Sequence, residues 1–234
     1  MIEIRPFGTL GHANHGWLDA HHHFSFADYM DPKRMGVGPL RVWNDDTITA
    51  QSGFPPHGHR DMEIITYVRH GAITHEDNLG NRGRTEAGDV QIMSAGTGIQ
   101  HSEFNIEDET TQIFQIWITP DRQGHPPRWE TRTFPRGDNA GQLVMLASGR
   151  AEDTNTDVPI IHQDAALLGA TLRDGQSVTH ALGAGRKAYL VPSKGVLEIN
   201  GTTAQERDGV VVVDESEIRI TARGDAELVL ADLP

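Results

Sequence analysis

Cysteine is absent from all 234 residues. Its absence excludes a disulfide framework, a thiolate nucleophile and any cysteine-ligated zinc, and it fits a reducing compartment. Clusters of Lys and Arg are missing too. Acidic residues outnumber basic ones 33 to 20, giving a formal charge of −13. No phosphate-tracking surface is expected, and the charge serves solubility. No apolar run approaches membrane-spanning length. The opening Met1-Ile2-Glu3-Ile4-Arg5-Pro6-Phe7 lacks the charged segment followed by an apolar one that marks a leader. The expectation is a soluble, cytoplasmic protein with neither nucleic-acid nor membrane partners. Long apolar helical patterns are the last absence, and with them goes a helical core.

What is present is turn chemistry. The 25 glycines and 12 prolines separate short apolar runs, which favours an all-β protein. The length permits one large or two modest domains. Ile64 to Val68 and Val90 to Met93 read as buried strands. Thr111 to Ile118 reads as a central one, apolar on both faces apart from Gln112 and Gln115. Leu40 to Trp43 is predicted as a strand that Asn44-Asp45-Asp46 closes as a turn. Asn200-Gly201 carries the strongest two-residue hairpin signal. Gly149 to Asp157, polar and turn-rich, is the linker candidate.

Chemistry concentrates in two stretches. In Gly53-Phe54-Pro55-Pro56-His57-Gly58-His59-Arg60-Asp61-Met62-Glu63 the prolines and Gly58 oppose a helix. In extended chain, side chains two apart share a face, so His57 and His59 point the same way. Gly96-Thr97-Gly98-Ile99-Gln100-His101-Ser102-Glu103-Phe104-Asn105 repeats the spacing with His101 and Glu103. One such pair among 13 histidines would be weak; two, each beside a glycine-rich turn, read as a metal site. His21-His22-His23 cannot converge on one ion, because adjacent strand residues face opposite sides. That segment is expected near the pocket with one or two histidines pointing in. No nucleophile elbow surrounds Ser94 or Ser102. No helix follows Gly96-Thr97-Gly98 to make a phosphate cradle. Trp17, Trp43, Trp117 and Trp129 default to packing or pocket walls.

The two stretches resemble the paired motifs of the cupin superfamily. His57-Gly58-His59-Arg60-Asp61-Met62-Glu63, with Ile92 through Glu103, is similar to the pirin family. The likeness begins near Gly11-His12-Ala13-Asn14-His15-Gly16-Trp17-Leu18-Asp19 and covers most of the chain, closest to bacterial pirin-like quercetin 2,3-dioxygenases. It implies two cupin (jelly-roll β-barrel) domains, expected here as 1–134 and 135–234. It also implies His57, His59, His101 and Glu103 as the metal ligands. Many cupins use a glutamate at the place of Glu63, for which a role beside the ligands is expected. In the second half, counting back from Gly195 puts Ala181 and Gly183 where the ligand histidines would fall. That domain is expected to hold no metal.

Three imidazoles and a carboxylate suit Fe(II), Mn(II), Ni(II), Co(II), Cu(II) or Zn(II). One divalent transition metal per chain is expected, Fe(II) first. The resemblance implies a dioxygenase that cleaves quercetin or a related flavonol with O2 and releases CO; Glu103, the carboxylate beside an open position of the ion, is expected to be the catalytic base. The alternative it carries is a metal-binding regulatory or protein-interaction module.

Overall fold

The turn-bounded apolar runs become strands almost throughout. The computed structural model describes residues 1–134, 140–153 and 156–234. Its strands are β1 (Ile2–Arg5), β2 (Gly11–Asn14), β3 (Leu18–His22), β4 (Leu40–Ile48), β5 (Ser52–His59), β6 (Glu63–His70) and β7 (Ala72–Asp77). Then come β8 (Arg82–Glu86), β9 (Asp89–Ser94), β10 (Ile99–Asn105), β11 (Thr111–Ile118), β12 (Arg128–Thr133) and β13 (Val144–Ser148). The chain ends with β14 (Ala166–Leu172), β15 (Ser177–Ala181), β16 (Lys187–Ile199), β17 (Thr202–Ala204), β18 (Gly209–Val213) and β19 (Glu217–Leu233). Among the described residues, no helix is long and apolar enough to cross a membrane.

Two compact units result. One comprises Gly11–Thr133 with Ile161–Gln163; the other comprises Met1–Leu10, Phe134–Ile160 and Asp164–Pro234. This differs from a cut after residue 134, for a reason of pairing. β1 lies antiparallel to β18, Ile2 opposite Val212 and Ile4 opposite Val210, so the first residues complete the sheet of the last. Ile161–Gln163 is tied to the Gly11–Thr133 unit by Asp121 N–H to His162 O (2.6 Å) and Gln163 Nε2 to Thr119 O (2.7 Å). Residues 135–139, at the expected boundary, and residues 154 and 155, within the expected linker, lie outside the described residues.

The Gly11–Thr133 unit is built from a seven-stranded sheet, β12-β9-β6-β11-β4-β3-β2, and a four-stranded sheet, β5-β10-β7-β8. Ile73 of β7 and Phe54 of β5 pack with Leu18, Ile48, Val68 and Ile113 of the larger sheet, so the inner faces share a core. The other unit is a single eight-stranded assembly in order β1-β18-β16-β19-β14-β13, with β15 on β19 and β17 on β16. Asn200 and Gly201 turn its β16–β17 hairpin with φ of 45° and 85°, the doubly positive geometry of a type I′ turn. Both units are cupin-type β folds.

One expected turn is not a turn. Asn44, Asp45 and Asp46 lie inside β4, all buried. Local preference loses to tertiary pairing, since β4 is bonded to β3 on one side and β11 on the other. Each polar side chain there has a tertiary setting. Asn44 meets His22, Asp45 is ion-paired with Arg69, and Asp46 lines a cavity.

Candidate metal centre

β5 and β10 carry the paired motifs as neighbouring strands, with His57 opposite His101. β5 ends its sheet and bonds only β10, the position that tolerates proline, and neither Pro55 nor Pro56 has a registered partner in β10. The next registered pair after His57–His101 is Phe54–Glu103, so Pro55 and Pro56 oppose Ser102 alone. Such a bulge bends a strand and re-aims its side chains. Gly53 belongs to the same approach, since a Cβ there would run into the Glu103 carbonyl. Along β10, Ile99, His101, Glu103 and Asn105 alternate inward.

His57, His59 and His101 converge, with one ring nitrogen from each lying within 4.8 Å of the others. Burial, then the rings of His101 and His57, holds His59 down to about 4. Burial, then His57 and His75, holds His101 down to about 3. Both rings are therefore neutral at pH 7 and able to ligate.

Their tautomers follow from the surrounding acceptors. His57 Nδ1 is 2.8 Å from the Pro55 carbonyl, which only accepts, so Nδ1 carries the hydrogen and Nε2 the lone pair. His75 Nε2 donates to Asp77 Oδ2 at 2.9 Å, leaving His75 Nδ1 as an acceptor. That nitrogen is 3.4 Å from His101 Nδ1, which donates to it, so His101 Nε2 also presents a lone pair. The two Nε2 atoms are 3.1 Å apart. Two lone pairs pinned face to face repel unless a cation sits between them, so the donor set fits a metal ion. Burial pushes the Asp77 carboxyl up, but hydrogen bonds from His75, Asn81 and Leu79 outweigh it and leave it below the usual range. The relay therefore ends in a firm anion. Trp129 stacks on His75 at 4.9 Å and 10°, and Gly83 leaves it room, since a Cβ there would run into the indole.

Glu103 is not in the set of converging atoms; it is buried two residues beyond His101. Its Oε1 accepts from Thr66 Oγ1 (3.0 Å) and Gln91 Nε2 (2.5 Å), and Oε2 from Gln115 Nε2 (2.8 Å). A carboxylate oxygen offers two acceptor sites, so one site on Oε2 is left over. Glu63 is buried elsewhere in the unit, accepting from Ser94 Oγ at 2.6 Å and lying 3.2 Å from His162 Nδ1. His162 in turn stacks on His125 at 3.8 Å.

A cavity of about 350 Å³ adjoins this centre through Gln115 and Phe54. Of the His21-His22-His23 run, His22 lines it, as do His12 and His15. Phe26, on its wall, packs edge-on against Trp117, which packs edge-on against His59.

Sequence reasoning missed Thr66, Gln91, His75, Asp77 and Asp46. A signal existed for the first two, as for Gln115. Each is a polar residue inside a strand buried on both faces, and such a residue needs an internal partner.

The family model described as Pirin matches residues 3–118. The model described as a quercetinase C-terminal cupin domain matches residues 145–233. A pirin-like protein of Caulobacter vibrioides is 60% identical, covering 99% of both chains. A quercetin 2,3-dioxygenase of Escherichia coli is 48% identical, over 100% of this chain and 99% of that one. The crystal structure of the bacterial pirin YhhW from Escherichia coli, in complex with nickel(II), superposes with a TM-score of 0.93. It is 43% identical, over 100% of this chain and 99% of that one.

Proposed function

This chain belongs to the pirin family, and on that premise we propose that it is a metal-dependent dioxygenase. It cleaves quercetin or a related flavonol with O2 and releases CO. The observation that carries the reading is the pinned convergence of imidazole lone pairs beside a buried carboxylate and an aromatic-walled cavity. His57, His59 and His101 would hold one divalent ion, Fe(II) first and Ni(II) next, with Glu103 as the fourth ligand. When bound, the cation supplies Lewis acidity, which lowers the pKa of an enol hydroxyl placed against it, and redox capacity.

The remaining steps belong to side chains. Phe26, Phe54 and Trp117 offer apolar faces against which a flat ring system aligns. Glu103 accepts the proton of the flavonol 3-hydroxyl at the one Oε2 site its three donors leave over, the same site that would face the ion, so ligation and proton uptake alternate there. Thr66, Gln91 and Gln115 keep that carboxylate from rotating as its charge changes, so the proton moves at a fixed atom. The neutral imidazoles do not compete for it at pH 7.

Oxygen uptake and CO release on a flavonol panel, with metal content measured in parallel, test this. Glu103→Gln is expected to keep most of the metal through the three imidazoles and to lose at least ~100-fold in turnover, as loss of a general base does. A metal-replete wild type that leaves quercetin and its analogues untouched would overturn the enzymatic reading in favour of a metal-binding regulatory module.

A further inference from the structure

Asp46 is a buried carboxyl that none of the preceding chemistry uses. It is 2% exposed, and its Oδ1 has no hydrogen-bond partner. Its neighbour Asp45 is committed to Arg69, so that guanidinium does not neutralise Asp46 by direct contact. Burial first, then Asp45 and Glu103, pushes the Asp46 carboxyl well above the usual range. In its acid form it offers one O–H donor and acceptor capacity on the other oxygen. A buried polar atom left unsatisfied works against folding, and in a native structure it calls for an explanation.

The explanation lies in the cavity it lines. The volume, about 350 Å³, is at the lower end of the range that small-molecule sites occupy. Leu18, Phe26 and Phe54 supply apolar wall, and Gln115 joins the cavity to Glu103. In its acid form Asp46 presents the cavity with a neutral donor and acceptor rather than a charge, which suits a hydroxyl, and the rings of Phe26 and Phe54 suit a flat ring system carrying it.

We propose that Asp46 is the specificity-determining residue of this cavity, hydrogen-bonding a phenolic hydroxyl on a substrate ring remote from the enol. The inference rests on the flavonol reading and narrows it to polyhydroxylated aromatics.

The test compares two probes under anaerobic conditions, where no turnover occurs, by calorimetry on the full-length, metal-loaded protein. Quercetin carries hydroxyls on its outer rings; 3-hydroxyflavone has the same enol and ketone without them. Wild type is expected to bind quercetin about tenfold tighter, the worth of one well-made hydrogen bond. Asp46→Leu is expected to erase that preference while leaving 3-hydroxyflavone affinity within about twofold of wild type. Asp46→Asn, which keeps a donor and an acceptor, is expected to retain it.

Thermal unfolding separates this from a structural role. Asp46→Leu removes an unsatisfied buried group and is expected to melt higher than wild type, whereas an Asp46 held by internal partners would make it melt lower. Should the leucine variant fail to fold, Asp46→Ala carries the same binding comparison. Equal wild-type affinity for the two probes, or an undiminished preference in Asp46→Leu or Asp46→Ala, overturns the proposal and leaves the metal chemistry standing. Tight, Asp46-dependent anaerobic binding of quercetin, followed by no oxygen uptake once air is admitted, overturns the dioxygenase reading and leaves the Asp46 assignment standing.

Discussion

Replacing His75 with phenylalanine cuts the relay behind His101 and leaves its neighbours nearly undisturbed. The phenyl ring keeps the flat face that stacks on Trp129, now 4.9 Å away at 10°. Asp77 keeps its hydrogen bonds from Leu79 N–H, Asn81 N–H and Asn81 Nδ2, so the β7–β8 turn remains held. What disappears is the acceptor for His101 Nδ1–H, and with it the constraint that aims the Nε2 lone pair at His57. His57 retains its own anchor on the Pro55 carbonyl. Losing one outer partner of a metal-bound histidine weakens metal binding by roughly 10- to 100-fold, or ~1.4–2.7 kcal/mol. Competition for Ni(II) against a chelating dye measures this directly, and the visible spectrum of the Co(II)-loaded protein reports the altered ligand field. Asp77→Asn is expected to fall between wild type and His75→Phe, since an amide accepts less strongly than a carboxylate. Wild-type affinity and an unchanged cobalt spectrum in His75→Phe would refute the relay.

Three further outcomes are expected. Elemental analysis should find one metal per chain, and His101→Ala should lose most of it; full retention would mean that the ion sits elsewhere, including in the unit that contains Ala181 and Gly183. Arg69→Met should lower stability to urea by about 3–5 kcal/mol, because it removes the guanidinium ion-paired with Asp45, whose side chain is 0% exposed; a loss below ~1 kcal/mol would show the pair to be solvent-screened. In metal-free protein, the stability gap between Asp46→Leu and wild type should widen as pH rises above 3.8, the ordinary Asp value. Burial, Asp45, Glu103 and Asp19 all raise the native Asp46 value against the opposing pull of Arg69. Native protein therefore holds a proton that the unfolded chain has released, and wild-type stability falls with pH across that window. A gap independent of pH would contradict a raised Asp46.

Local chain physics was enough to determine much of this protein. Glycine and proline punctuation bounded many of the strands, though Pro55, Pro56 and Gly58 lie inside β5 and Pro192 and Gly195 inside β16. The two-residue period of extended chain put His57 with His59 and His101 with Glu103 before any partner strand was known, because strand parity is a property of one segment. Asn200-Gly201 announced its turn for the same reason: only those residue types accept two positive φ angles cheaply. Tertiary structure alone decided the rest. Asn44-Asp45-Asp46 has the composition of a turn, and only β3 and β11 on either side make it a strand interior, which delivers Asp46 to the cavity. Met1–Leu10 joined the far end of the chain through β18, a pairing no local pattern encodes. The lone pairs of His57 and His101 are aimed by Pro55 and by His75 with Asp77, and Glu103 is gripped by Thr66, Gln91 and Gln115 from three other strands. Periodicity specifies which face a side chain takes. Which nitrogen carries the proton depends on what lies across that face, and that is set only when distant strands meet.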